Sequence, residues 1–155
     1  MNLTQIAFAA AASFSEPVAL PDVPHADLGC MALNIYHEAR GESIDGQLAV
    51  AHVTLNRVQS SRYPDTACAV VSEDRGPKDW DCQFSWWCDG KSDRPEDMEA
   101  FHLALLLAAE VLSGETEDLT QGSMYYLTQR EDYPGWVHQL DMVGKIGSHV
   151  FLRRY

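Results

Sequence analysis

The stretch Asn34-Ile35-Tyr36-His37-Glu38-Ala39-Arg40-Gly41-Glu42 constrains this chain more than any other. Upstream, Leu28, Met31, Ala32, Ile35 and Ala39 recur at helical spacing and mark one buried stripe. Glu38 falls beside that stripe, not opposite it, just before a glycine, Gly41, that ends the helix. A carboxylate there borders the core. Burial disfavours its charged form and raises its pKa. Any fold that accepts this segment must hold a half-desolvated acid at the end of a packed helix.

A carboxyl group that stays protonated near neutral pH is what cleavage of a glycosidic bond needs. Two other readings compete. A helix-end Glu is more often a plain surface acid. His37-Glu38 also begins the H-E-x-x-H pattern of zinc proteases, which fails at its last position, Gly41.

The segments that follow decide between these readings. Gly41 to Val58 contains Gln47-Leu48-Ala49-Val50-Ala51 and Leu55-Asn56-Arg57-Val58, then come Arg62-Tyr63-Pro64-Asp65 and Cys82-Gln83-Phe84-Ser85-Trp86-Trp87-Cys88. The chain closes on Gly122-Ser123-Met124-Tyr125-Tyr126 and Gly144-Lys145-Ile146-Gly147-Ser148-His149-Val150-Phe151. In this order, these motifs resemble the SleB/CwlJ family of bacterial cell-wall hydrolases, from about Leu28 to Phe151. That family includes spore-cortex-lytic enzymes and bacteriophage enzymes. Many members carry His-Tyr-His where this chain has Met124-Tyr125-Tyr126, whereas the spore enzymes have tyrosines there. The resemblance implies a lysozyme-like fold, peptidoglycan glycan strands as substrate and Glu38 as the catalytic acid. The tyrosines resemble the spore-enzyme branch, which implies lytic transglycosylation. True hydrolysis by a muramidase or N-acetylglucosaminidase is the alternative, and a non-catalytic wall-binding or virion protein is the competing class.

The reaction turns on the number of acids. Hydrolysis usually takes a second carboxylate as nucleophile or base. A lytic transglycosylase needs only one: the same glutamate, now ionised, takes the proton of the muramic C6 hydroxyl, which attacks C1 and closes an anhydro ring. Glu42, Asp45, Asp65 and Asp89 are the candidates for a second acid, and each reads first as a cap or surface charge. Glu42 is the expected helper, through a hydrogen bond or like-charge effect on Glu38. Gln83, Phe84 and Ser85 are expected to line the cleft, since rings stack on sugar faces and amides and hydroxyls bond their edges. Plain core packing is the equal competitor for each aromatic. Tyr125 and Tyr126 are also substrate-binding candidates, but alternation along a strand lets only one face the cleft. Asn56 and Arg57, late in a buried helix, read as structural. His37, His52, His102, His138 and His149 show no mutual spacing that argues for a metal, and neither metal nor cofactor is expected.

With 155 residues, 46% of them hydrophobic, the chain builds one domain and one core. The predicted fold is α+β and mostly helical, with a short β element. Residues 1–25 are a lead-in and 26–155 the catalytic domain. A net charge of −12 argues against nucleic acid and anionic membrane as partners. Leu3 to Phe14 is apolar like a secretory signal but lacks the preceding positive charge, and is too short to span a bilayer. Cys30, Cys68, Cys82 and Cys88 allow three disulfide pairings, which sequence leaves open. Disulfides would place the protein in an oxidising compartment, facing the periplasm or wall, or in a virion, and four buried free thiols in a cytosolic protein is the competing reading. A phage-encoded monomer released by a membrane-opening partner is one expectation.

Helices are predicted from about Ala26 to Arg40, from Ser43 as cap to about Gln59, from Thr66 as cap to about Ser72, and from Pro95 to about Ser113, ended by Gly114. Ile44, Leu48, Ala51, Leu55 and Val58 are the expected core stripe of the second, read as the central helix. Leu103, Leu106, Leu107 and Val111 are expected to line the core from the last. Residues 73–95, with Trp80, Phe84, Trp86 and Trp87, read as a long aromatic loop. Met124 to Thr128 reads as a strand and Val143 to Phe151 as a hairpin.

Overall fold

The computed structural model describes residues 24–76 and 82–155. The expectations on Leu3 to Phe14, on most of the 1–25 lead-in and on Trp80 fall outside them. Helix α1 (His25–Ala39) is followed by α2 (Ile44–Val58), α3 (Ala67–Val71), α4 (Ser85–Cys88) and α5 (Met98–Ser113). Three strands close the chain: β1 (Tyr125–Thr128), β2 (Asp141–Ile146) and β3 (His149–Arg153), with a 3-10 turn over Gly135–Gln139. The sheet is antiparallel in the order β1-β3-β2.

The central helix is α1, which packs against α5, α2 and α3. Its Leu28, Met31, Ala32, Ile35 and Ala39 are buried, as the stripe predicts, and Leu33 outside the stripe is buried too. Helix α2 is buried nearly all round, but the phase of its core differs from expectation. Ala49, Val50, Ala51 and Val53 are deepest, while Ile44 is exposed and Leu48, Leu55 and Val58 are only half-buried. The reason is that α2 serves two neighbours, the helices on one side and the sheet on the other. Ala49 and Val53 meet Phe151 of β3. In α5, likewise, Phe101, Ala104, Leu105, Leu107, Ala108 and Val111 face inward and Leu106 is 40% exposed.

Several caps follow from side-chain chemistry. Ser43 Oγ accepts from Gly46 N at 3.3 Å and Thr66 Oγ1 from Ala69 N at 3.2 Å, satisfying first-turn donors. At the end of α5, Gly114 has φ 76°, and two bonds, Gly114 N to Val111 O and Glu115 N to Glu110 O, complete a Schellman turn. One expected boundary is corrected, and one holds with a different geometry. Helix α5 starts after Asp97 rather than at Pro95, and Asp97 caps it, accepting from Ala100 N at 3.0 Å. Gly41 has no left-handed conformation, and α1 ends at Arg40 in ordinary helical geometry. The aromatic loop also contains one helical turn, α4, between Cys82 and Cys88.

All four cysteines are paired, Cys30 with Cys68 and Cys82 with Cys88. The first joins α1 to α3. The second closes a small ring around Gln83 to Trp87.

Candidate active site

A buried polar tie sets the face of α1 on which Glu38 stands. Asn34, one helical turn earlier, donates to Thr54 Oγ1 of α2 at 3.1 Å and accepts from Trp86 Nε1 of α4 at 3.0 Å. Both ends of the buried amide are thus engaged, which makes its orientation specific. His37 stacks on Trp86, ring centroids 4.4 Å apart, and its Nε2 donates to Asp93 O at 3.0 Å. The loop between Cys82 and Cys88 is held to α1 by these contacts.

Glu38 then faces the sheet. Tyr126 Oη of β1 donates to Glu38 Oε2 at 2.8 Å. Burial pushes the Glu38 carboxyl above the usual carboxylate range, opposed by the Tyr126 hydrogen bond and by the nearby Arg57 guanidinium. Burial, and next the carboxylate beside it, push the Tyr126 phenol well above its ordinary value, so it stays a neutral donor.

Strand alternation separates the two tyrosines. Tyr126 points to Glu38, whereas Tyr125 Oη accepts from Arg154 Nε at 3.1 Å on the other face. Tyr126 also touches His149 and Phe151 of β3, with ring centroids 5.2 and 5.8 Å away.

Glu42 sits elsewhere than expected. Its carboxylate accepts from Ser148 N at 3.0 Å and from Ser148 Oγ, at the β2–β3 turn. Those two bonds hold its pKa below the ordinary value. It makes neither a hydrogen bond nor a like-charge contact with Glu38, so the expected direct help is replaced by a clasp on the hairpin. Gly147 of that turn has φ 60°, and a Cβ there would collide with Glu42 Oε2.

The expected cleft segment divides by side chain. Phe84 is 2% exposed and lies under Arg57, 5.1 Å from guanidinium carbon to ring centre. Its ring is a core anchor with no free face for a sugar, a correction to the sequence reading. Gln83 is half-buried, Ser85 is exposed, and Gln83 N bonds Glu73 O at 2.9 Å. Asp89 pairs with Lys91 at 3.6 Å, and Asp45 and Asp65 are exposed.

Arg57 is the residue whose place the sequence reading missed. It is buried, its Nε donates to Met124 O at 2.9 Å, and its Nη1 has no partner among the described residues. Its signal was available: a buried arginine on the core side of a helix must answer some negative charge or carbonyl. Asn56 is structural as read, donating to Asp118 Oδ2 at 2.9 Å and Ser123 O at 3.0 Å. Among the described residues, no cluster of three or more His, Cys, Asp or Glu could hold a metal ion.

Helices packed around one central helix, with a small antiparallel sheet closing over its terminal acid, define the lysozyme-like class. Residues 41–152 match the cell wall hydrolase family, and the chain belongs to that family. Glu38 lies just ahead of the matched span. The chain is 32% identical over 127 residues to a spore cortex-lytic enzyme of Oceanobacillus iheyensis, covering 82% of this chain and 41% of that protein. It is 33% identical over 125 residues to the spore cortex-lytic enzyme of Halalkalibacterium halodurans, covering 81% of this chain and 34% of that protein. It therefore spans less than half the length of these relatives. The crystal structure of the catalytic domain of the Bacillus cereus SleB protein superposes with a TM-score of 0.66 at 29% identity, over 90% of this chain and all of that one. The catalytic domain of the germination-specific lytic transglycosylase SleB from Bacillus anthracis gives 0.67 at 30% identity, over 86% of this chain and all of that one. These relatives are bacterial and lend no support to a phage origin. No helix among the described residues is long and apolar enough to cross a membrane.

Proposed function

We propose that the chain cleaves peptidoglycan glycan strands outside the cytoplasm, as a lytic transglycosylase with Glu38 as both acid and base. The observation that carries this reading is the half-buried Glu38 carboxyl bonded to Tyr126. In the first half-reaction Glu38 gives its proton to the glycosidic oxygen and the C1–O bond breaks. Positive charge then spreads over the muramic ring. The ionised Glu38 is now stabilised by the Tyr126 hydroxyl and faced by Arg57. It next takes the proton of the C6 hydroxyl as that oxygen bonds to C1. The acid is regenerated and no water is consumed.

One-acid chemistry is favoured over hydrolysis by the pairing of Asp89, another candidate second acid, with Lys91. The clasp of Glu42 on Ser148 supports it too, because the nearest sequence candidate for a second acid is occupied. Digestion of sacculi in heavy-oxygen water tests the reaction. Anhydro ends free of label are expected. Label at new reducing ends would make the enzyme a hydrolase and would also identify the bond.

Tyr126→Phe has a signed effect on the pH profile. The hydroxyl favours the ionised form of Glu38, so its loss raises the Glu38 pKa further. An acid that must start protonated loses activity as pH rises through its pKa. The alkaline limb of kcat/KM on solubilised glycan should therefore move to higher pH, with a rate loss on the order of tenfold from the lost hydrogen bond to a charged group. A limb that stays put or moves down would remove Tyr126 from the proton-handling step.

A further inference from the structure

Two joined grooves lie beyond Tyr125, on the opposite face of β1 from Glu38. Their volumes are about 540 and 580 Å³, and they share Arg62, Arg154 and Tyr155. One wing is apolar and aromatic, with Tyr125, Trp136 and Leu140. The other is polar, with Gln59, Ser60 and Ser61. Trp136 is 46% exposed, and its ring lies 6.2 Å from that of Tyr125.

The charge of these grooves runs against that of the chain. The chain has 23 acidic and 11 basic residues, yet no Asp or Glu side chain lines either groove. Arg153, which borders the polar wing, is paired with Asp141 at 3.1 Å. Arg62 and Arg154 make no ion pair among the described residues, and Arg154 Nε is oriented by Tyr125 Oη. Two uncompensated guanidinium groups on an acidic surface make a local well for an anion.

We propose that this double groove binds a muramyl peptide, with the sugar ring against Tyr125 and Trp136 and a carboxylate of the peptide stem between Arg62 and Arg154. The proposal rests on the peptidoglycan reading above. Aromatic faces take the apolar face of a sugar. The planar guanidinium fork suits a carboxylate better than an ammonium would. The amide and hydroxyls of Gln59, Ser60 and Ser61 suit the amide groups of a short peptide. Strand β1 is an edge strand, and Tyr125 and Tyr126 are consecutive along it. A polymer passing that edge reaches both faces, so contacts in the groove can add binding energy to a cut made at Glu38.

Calorimetric titration of the intact protein tests the groove with three probes: N-acetylmuramyl-L-alanyl-D-isoglutamine, its carboxyl-amidated form, and N-acetylmuramic acid. The charged dipeptide should bind. Amidation, Arg62→Gln and Arg154→Gln should each weaken it about tenfold, the scale of one lost charge-assisted contact. Trp136→Ala should weaken the charged and amidated forms alike. These side chains are on the surface, so unchanged melting temperatures are expected in all variants. Equal affinity for the amidated form, or insensitivity to both arginine substitutions, overturns the proposal. So does N-acetylmuramic acid binding as tightly as the dipeptide, which would make the lactyl carboxylate the ligand. Failure of all three probes to bind overturns it as well. Sacculus digestion by the same wild-type preparation separates the two readings. Digestion without probe binding removes the groove and leaves the enzyme, whereas binding without digestion does the reverse.

Discussion

Glu38→Gln is expected to slow sacculus digestion by at least about a hundredfold, the usual scale for a general acid, and to leave the fold intact. The amide matches the carboxyl in shape and can still accept from Tyr126 Oη, whose bond to Glu38 Oε2 is 2.8 Å. What it lacks is a proton to give and a charge to take one back. The same burial that raises the Glu38 pKa makes the ionised side chain costly to the fold. A neutral amide relieves that cost, so the melting temperature should hold or rise. Unchanged digestion of sacculi by a folded Glu38→Gln protein would place the acid elsewhere. A collapse in melting temperature would instead make Glu38 a structural residue.

Removal of the Cys30–Cys68 bridge by paired substitution to Ala is expected to cost about 2–4 kcal/mol and to lower the melting temperature on the order of 10 °C. The bridge spans 38 residues and joins α1 to α3, so its loss frees a long loop in the unfolded chain. Cys30 is fully buried, and Ala avoids introducing a buried hydroxyl there. The Cys82–Cys88 bridge spans 6 residues, and the paired Ala change there should cost less stability. Its expected effect falls on the Gln83 to Ser85 segment, seen as a loss of digestion rate. Calorimetry of both double variants decides the order, and the reverse order would contradict the loop argument. Thiol titration of the air-oxidised protein should find none free, in keeping with four paired cysteines and an oxidising compartment.

Much of this was legible in the sequence where a residue acts on its own neighbours. Ser43, Thr66 and Gly114 mark helix ends through bonds made within a few residues. The alternation of Tyr125 and Tyr126 needs only the pleat of a strand. The position of Glu38 beside the stripe of α1 needs only helical spacing. The readings that failed depended on distant partners. The stripe of α2 shifted because a sheet, as well as helices, covers it. For Phe84 the choice between sugar face and core anchor stays open in the sequence, because no spacing rule shows that Arg57 covers its ring. Helical spacing brings Glu42 within one turn of Glu38, and no local rule shows where its side chain goes. Its true partner, Ser148, is 106 residues away. Trp136 and Arg154, which form the second groove, show no local pattern at all and become neighbours only through the hairpin.

The clasp between Glu42 and the β2–β3 turn has a consequence for how this chain can diverge. Position 147 tolerates only glycine while Glu42 keeps its carboxylate on Ser148, because an added methyl would occupy the place of Oε2. A shorter residue at 42 would remove that clash, but the left-handed φ of 60° would still favour glycine at 147, and the Ser148 amide would lose its acceptor. A side chain at 147 brings backbone strain and displaces the Glu42 carboxylate, and a change at 42 undoes the clasp on Ser148. Glu42, Gly147 and Ser148 should therefore pass through descent as one inherited unit, kept or exchanged together across distant branches.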